Sequence, residues 1–201
     1  MATATAASCE PSGEGAPGAY IRVACPEDAA GILDVYRPYV EGTAVTFECA
    51  APSVGEMEAR ISRTLQRYPY LVAVKDGRVV GFTYAGPLRA RAAYDWSVET
   101  TIYVASTERG TGLGRALYDA LEDALRPMGV LTLYACVAFA DGPDEFLTGA
   151  SMRFHERQGF AKVGELRECG SKFGRWYSIA WMQKRIGTPQ PDPQPIRPFA
   201  P

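Results

Sequence analysis

The sequence predicts an α/β protein built on a mixed central sheet, and three observations predict it. Short apolar, β-branched runs alternate with segments of helical periodicity in the order β-α-α-β-β-β-α-β-α-β-β. An Asp76-Gly77 pair joins two of the apolar runs, which marks an antiparallel hairpin. A strand, a helix and a second strand then follow between residues 97 and 139, which marks one right-handed parallel crossover.

Each element follows from its own residues. "YIRVA" (20–24) reads as a strand. "PEDAAGILDVYRPYV" opens on Pro26 and two acids, which suit a helix N-terminus, and Pro38 is expected to kink or end that helix. "SVGEMEARISRTLQRY" opens on Ser53 and Glu56 in capping-box spacing, with Met57, Ile61 and Leu65 on one face. "YLVAVKDGRVVGFTYAG" is the hairpin. "SVETTIYVA" (97–105) is a strand whose odd positions share one face and whose even positions share the other. A helix with Leu113, Ala116, Leu117, Ala120, Leu121, Ala124 and Leu125 on one stripe comes next. "VLTLYACVAF" (130–139) reads as a buried strand, and "FLTGASMRFHERQGF" as a helix closed near Gly159. "AKVGEL" and "RWYSIAWMQK" are the last two strands.

The small, Gly/Pro-rich residues 1–19 are expected to be disordered, and the Pro-rich residues 187–201 to form an extended tail laid along the surface. One domain, 20–186, remains between them. The chain has 201 residues, 47% of them hydrophobic and 22% charged, with a net charge of −2 and no basic tract. Bulk binding to nucleic acid is therefore not expected. No apolar run is long enough to span a bilayer, so no membrane partner is expected either. Cys9, Cys25, Cys49, Cys136 and Cys169 are odd in number and form no CxxC pair, which suits a reduced, cytoplasmic protein. The single histidine, His155, speaks against a His-rich metal site, and no metal is expected.

The most informative stretch is "RGTGLG" (109–114), between a strand and a helix. It fails the dinucleotide fingerprint, because the sixth position from Gly110 is Arg115. It fails the P-loop pattern, because it ends Gly114-Arg115-Ala116. Two readings remain: a tight strand-to-helix turn, or a loop whose amides and helix N-terminus hold a pyrophosphate.

Here the sequence resembles a known family. Arg-Gly-Thr-Gly-Leu-Gly matches the (Q/R)xxGx(G/A) loop of the Gcn5-related N-acetyltransferases (GNAT). "TFE" (46–48), "YAGPLRARAAYDWSVETTIYV" (84–104), "FHERQGF" (154–160) and "GRW" (174–176) resemble the phosphinothricin acetyltransferase branch. The resemblance covers roughly residues 20–186. It implies the GNAT fold: about seven strands, splayed between the fourth and fifth, with about four helices. It implies acetyl-CoA as co-substrate, held by Arg109, Gly110, Thr111, Gly112, Leu113, Gly114 and Arg115. The pantetheine arm would pair with the Ile102–Tyr103–Val104 edge, and Ser151 would lie near the cofactor. The amide of Tyr103 or Val104 would polarise the thioester carbonyl.

Acetyl transfer to an amine needs a base, an oxyanion donor and sometimes an acid for the leaving thiolate. Glu99 stands in an apolar strand beside Thr101 and Tyr103, either as an exposed strand residue or as the base; the resemblance favours the base. His155 stands where most of the superfamily has tyrosine, so it serves as general acid, orients substrate, or is a satisfied helix histidine. Arg89 and Arg91 fit a loop that reads an anionic amino-acid analogue, against solvated loop residues, and Tyr94 and Trp96 read as substrate wall or as packing. Phe47 resembles an aromatic substrate wall, against simple core.

One segment departs from the branch. The link "ADGPDEFLTGAS" (140–151) is longer, acidic at Asp141, Asp144 and Glu145, and lacks the usual asparagine. An acidic lid there would disfavour an anionic acceptor and favour a more cationic amine. The resemblance thus implies an N-acetyltransferase acting on a small amino-acid-like amine (phosphinothricin or methionine sulfoximine type) by direct attack, as a homodimer. The alternatives are a protein lysine or N-terminal acetyltransferase and a non-enzymatic acyl-CoA sensor.

Overall fold

A computed structural model describes residues 18–200. The expected disorder of the N-terminal segment lies outside these residues, except that Ala19 already belongs to the first strand. The elements follow the expected order: β1 (Ala19–Val23), α1 (Ala29–Gly42), α2 (Val54–Leu65), β2 (Tyr70–Lys75), β3 (Arg78–Pro87), β4 (Ser97–Val104), α3 (Leu113–Leu125), β5 (Thr132–Phe139), α4 (Ala150–Arg157), β6 (Ala161–Lys172) and β7 (Arg175–Arg185). They form one sheet in the order β1-β2-β3-β4-β5-β7-β6. Among the described residues, only β4 and β5 pair in parallel.

Local chemistry sets the elements. Ser53 Oγ accepts from Glu56 N while Glu56 returns a carboxylate oxygen to Ser53 N at 2.7 Å, so the capping box starts α2. Asp76 and Gly77 both take positive φ, as a two-residue hairpin turn with right-twisted strands requires. At the N-cap of α1, Asp28 is buried and takes two 2.7 Å bonds from the Arg22 guanidinium.

Three expectations need correction. Pro38 does not end α1, which runs on to Gly42. Both Asp34 and Pro38 are exposed, so the carbonyl left without a partner faces water, while Tyr36 and Val40 anchor the inner face. Strand β6 does not stop at Leu166 but reaches Lys172. Register shifts at Lys162/Gly164 and Leu166/Gly170, with Glu168 at φ 46, break the period-two pattern that a sequence reading relies on. The acidic link 140–149 is also not a charged lid over an acceptor. Arg167 binds Asp141 at 2.5 Å, and Arg175 binds Asp144 at 2.8 Å and Glu145 at 2.6 Å, so its charges are neutralised against β6 and β7.

The sheet separates two cores. One face packs on α3, with Leu113, Leu117, Tyr118, Leu121 and Leu125 buried against Val98 and Leu133. The other packs under α1 and α2, with Ile32, Tyr36, Met57 and Ile61 against Tyr70, Val72 and Phe82. The Pro-rich tail lies along the molecule. Ile196 is buried in the α3-side core, Arg197 N donates to Met128 O at 2.8 Å, and Phe199 N donates to Arg67 O at 3.0 Å.

Candidate functional site

The site begins where two strands part. β4 and β5 pair at only three rungs, Ser97↔Thr132, Val98↔Leu133 and Glu99↔Tyr134. Beyond Glu99 they separate, and Thr100 Oγ1 donates to the Tyr134 carbonyl at 3.2 Å. The splay expected between the fourth and fifth strands is therefore present. On the side of the sheet under α1 and α2, a cavity of ≈ 380 Å³ opens against this gap. Its sheet wall carries Glu99, Thr101 and Tyr103 of β4, Tyr84 of β3, and Cys136 of β5. Phe47 closes one side, and the helices add Tyr36, Arg60 and Arg63.

Phe47 reaches the cavity because β6 gives way to it. A Cβ placed on Gly170 would lie 2.3 Å from the Phe47 ring, closer than any real contact. The loop that bears Phe47 is tied down on three sides. Tyr36 Oη and Thr46 Oγ1 share a 2.8 Å hydrogen bond, Lys172 Nζ donates to Thr46 O at 2.8 Å, and Arg60 Nη1 binds Glu48 at 2.6 Å.

Electrostatics suit a proton acceptor at Glu99. Burial pushes its carboxyl above the usual carboxylate range, and the positive charge of Arg89 partly opposes that. Burial, with a smaller contribution from Glu99, pushes the Cys136 thiol up to about 11, so this sulfur is protonated at neutral pH. Burial likewise pushes Tyr36 up to about 12, and raises Tyr84 and Tyr103. At neutral pH the aromatic wall is uncharged.

The backbone of β4 faces two ways. Ala105 N donates to Val80 O at 2.8 Å, in register with the β3–β4 ladder. Bonded residues alternate along an antiparallel pair, so the amides of Glu99, Thr101 and Tyr103 face β3. The open edge is left to Ile102 and Val104. Of the two expected oxyanion donors, the Tyr103 amide is thus committed to the sheet and the Val104 amide lies on the free edge. The Val104 carbonyl on that edge accepts from Tyr39 Oη at 2.7 Å. The Arg109 guanidinium lies over the Tyr39 ring, 5.3 Å from its centroid.

The glycine loop continues from this edge. Gly112 holds φ 92 as the N-cap of α3, a conformation that a residue with a side chain rarely adopts, and its missing Cβ leaves open space. Of the first-turn amides of α3, Leu113 N donates to Thr111 Oγ1 at 3.4 Å, and those of Gly114 and Arg115 have no intrahelical acceptor. Thr111 Oγ1 donates to Glu108 O at 2.9 Å and so holds the turn. Gly114 abuts the Phe154 ring, where a Cβ would meet carbon at 3.0 Å, which seats α4 against the start of α3. Open space, free amides and a helix N-terminus fit a pyrophosphate.

His155 lies on the far side of the sheet from the cavity. It is buried among Tyr118, Phe154 and Phe160. Its Nδ1 donates to the Ser151 carbonyl at 2.8 Å, which leaves Nε2 to accept from the Tyr118 hydroxyl at 2.9 Å. Burial lowers its pKa, so the ring is neutral at neutral pH. Tyr118 Oη and Thr100 Oγ1 lie 3.2 Å apart, which puts the partner of His155 beside the hydroxyl at the splay.

The structure thus gathers Phe47, Glu99, Thr101 and Tyr103 around one cavity, and Ile102, Val104 and residues 109–115 along one edge and loop. Arg89 stays near Glu99, with its guanidinium 5.6 Å from the Trp181 ring centroid. Arg91 and Tyr94 are exposed and line no part of the cavity. Sequence reading missed Tyr36, Tyr84, Arg60, Arg63 and Cys136. The i, i+3 spacing of Arg60 and Arg63, on the turn that follows buried Met57, was the one available signal.

Comparison with known proteins agrees with this geometry. The family described as "Acetyltransferase (GNAT) domain" matches residues 21–181. The chain is 36% identical over 178 residues to a phosphinothricin N-acetyltransferase of Streptomyces viridochromogenes, covering 89% of this chain and 93% of that protein. Among solved structures, a GNAT superfamily phosphinothricin acetyltransferase from Sinorhizobium meliloti in complex with AcCoA is similar, with TM-score 0.78 and 31% identity, covering 92% of this chain and 100% of the other. A ribosomal-protein-alanine N-acetyltransferase from Brucella melitensis is also similar, with TM-score 0.75 and 32% identity, covering 83% and 99%. Splayed strands, an open-edged β4 and a glycine loop capping α3, together with a match across most of the length, show that this chain belongs to the GNAT acetyltransferase family.

Proposed function

We propose that this protein is an acetyl-CoA-dependent N-acetyltransferase whose acceptor is the primary amine of a small amino-acid-like molecule, with Glu99 as the base. Acetyl-CoA supplies an activated acetyl group and a thiolate leaving group. The amides of Gly110–Arg115 and the α3 N-terminus hold its pyrophosphate, and the open edge at Ile102 and Val104 aligns its arm. The Val104 amide is the free donor nearest the gap and would receive the developing oxyanion. Glu99 takes the proton of the ammonium or of the attacking amine, directly or through a water. Cys136, protonated and beside Glu99, is a poor nucleophile, which favours direct attack by the amine over an acyl-enzyme. His155 acts through Tyr118 and Thr100 as a positioning group.

The observation that carries this reading is the placement of Glu99: partly buried, at the last rung before the strands part, on the wall of the cavity. A partner's amine as acceptor is the second reading, and the name of the Brucella neighbour favours it. The ≈ 380 Å³ cavity, walled by Tyr36, Phe47, Tyr84 and Tyr103, suits a small molecule better. Release of CoA thiol across a panel of amino-acid analogues, free amines and peptides tests this. Turnover of phosphinothricin or methionine sulfoximine supports the proposal. Turnover of peptides alone supports the second reading, and cofactor binding without any turnover supports a sensor. We place the enzyme in the cytoplasm as a homodimer, with exposed Trp176 and Leu166 on the β6–β7 hairpin as candidate contact residues. The catalytic domain is 20–186, with 187–201 as an appended strap.

A further inference from the structure

The cavity has two chemically different walls. The sheet wall carries Glu99, which burial drives toward its neutral form. The helical wall carries two guanidiniums of α2, Arg60 and Arg63, three residues apart and so on neighbouring turns of one face. Arg60 is already engaged, because its Nη1 meets Glu48 Oε1 at 2.6 Å and that pair is neutral as a unit. Arg63 makes no ion pair and no side-chain hydrogen bond among the described residues. Of the four charged residues among the described lining of the cavity, Glu48 and Arg60 pair with each other, Glu99 stands on the sheet wall, and Arg63 is the unpaired cation of the helical wall.

An unpaired guanidinium on the helical rim, with the Glu99 carboxylate on the sheet wall, suits a ligand that carries an oxyanion at one end and an amine at the other. Its planar fork matches a carboxylate. We infer that Arg63, beside the Arg60–Glu48 pair, binds a carboxylate of the acceptor while the acceptor's amine faces Glu99, so that α2 selects amines that carry a carboxylate. This names a selectivity residue for the acceptor reading above and rests on it. It also reverses the preference for cationic amines that the acidic 140–149 link suggested, since those acids are paired away from the cavity. The Arg60–Glu48 pair then has a separate task. It fixes the Phe47 loop against α2 and leaves Arg63 as the one lining cation among the described residues that is available to a ligand.

The test compares two acceptors that differ only in the carboxylate, L-methionine sulfone and 3-(methylsulfonyl)propylamine, on the full chain and on Arg63→Ala and Arg63→Lys. The expected result is a rise of about tenfold or more in KM for the sulfone with Arg63→Ala, kcat changing little, and no change for the amine lacking the carboxylate. Arg63→Lys should recover part of the loss. Equal effects on both acceptors, or no effect on either, overturn the inference. A binding arm does not need turnover: L-methionine sulfone is titrated by calorimetry into protein saturated with CoA. Binding that weakens about tenfold in Arg63→Ala supports the site. Absent binding to the wild-type chain, or equal binding to both, overturns it. If binding follows Arg63 while neither amine is acetylated, the anion site stands and the acetyltransferase reading falls. Melting curves of the variants confirm that exposed Arg63 does not support the fold.

Discussion

Glu99 and Tyr134 form the last rung between β4 and β5, and from that rung onward the two strands diverge. The carboxylate therefore sits at the point where the sheet stops supplying partners and the cavity begins. If it is the base, Glu99→Gln lowers kcat by about 10²- to 10⁴-fold while the affinity for acetyl-CoA stays within about twofold. The carboxylate form is the active one, so kcat/KM should rise with pH through its raised pKa. Arg89 opposes that rise in pKa, and Arg89→Ala should therefore move the acidic limb of the profile to higher pH. A profile unmoved by either substitution would assign the limb to another group.

The second prediction concerns the route of acetyl transfer. Burial keeps the Cys136 thiol protonated at neutral pH, beside a carboxylate that opposes its ionisation further. Cys136→Ser should retain most activity, and initial rates should give intersecting double-reciprocal lines, as a ternary complex requires. Parallel lines, or an acetylated Cys136 trapped and seen by mass spectrometry, would replace direct attack with an acyl-enzyme.

The third prediction follows from His155. In the unfolded chain it titrates near the usual 6.5, while burial holds its pKa lower in the fold. Between those two values the unfolded chain binds more protons. The stability that the neutral ring contributes is therefore complete above about pH 6.5 and is lost as pH falls toward the folded pKa. Melting temperatures of the wild-type chain should drop between pH 7 and 5 more steeply than those of His155→Asn. Tyr118→Phe, which leaves Nε2 without its donor, should cost about 1–3 kcal/mol. Parallel pH curves for wild type and His155→Asn would show that folding does not shift the titration of this ring.

Much of this architecture is legible in the sequence because its signals are local. The Asp76-Gly77 turn, the Ser53–Glu56 capping box, the leucine stripe of α3 and the glycines of 109–114 each act within a few residues. The odd face of β4 likewise predicted that Glu99, Thr101 and Tyr103 share a wall, and they do. What was not legible depends on contacts distant in sequence. Arg60 and Arg63 read as the solvated face of an amphipathic helix, and only the packing of α2 over β2 and β3 turns that face toward Glu99. The acids of 140–149 read as a free charge because their arginine partners come some thirty residues later, at Arg167 and Arg175, on strands whose bulges hide their register. Pro38 shows the same limit in reverse, since its local rule yields to burial on either side of it.

The tail gives a fourth prediction. The Trp96 indole N–H donates to Gln194 O at 2.9 Å, and Leu131 N and Thr132 N both donate to Trp96 O, so the strap and the paired end of β4 and β5 meet at one residue. Removing residues 188–201 exposes the Ile196 site and leaves these groups to water. Burial of one such side chain contributes about 1.5–3 kcal/mol, and melting temperature falls about 2–4 °C per kcal/mol in a chain of this size. A loss of roughly 5–10 °C is expected, with acetyl-CoA affinity preserved because the glycine loop lies at the opposite end of β4. An unchanged melting temperature would mean that the strap rests on the surface without supporting it.

Gly170 offers the sharpest steric test of the acceptor wall. The ring of Phe47 occupies the space where a side chain at 170 would begin, with ring carbons 2.3 and 2.4 Å from an ideal Cβ. Alanine there cannot be accommodated unless the ring or the strand moves, and overpacking of this kind costs about 1–3 kcal/mol. The ring has one direction in which to yield, into the cavity, because Tyr177 backs it at 6.4 Å between centroids and the bonds to Thr46 and Glu48 fix its loop. Gly170→Ala should therefore shrink the acceptor cavity and raise the acceptor KM, with little effect on acetyl-CoA affinity. The double substitution Gly170→Ala with Phe47→Leu should restore much of the lost stability by removing the clash. If the single substitution leaves both melting temperature and acceptor KM unchanged, Phe47 is not wedged against β6 and does not form the wall described.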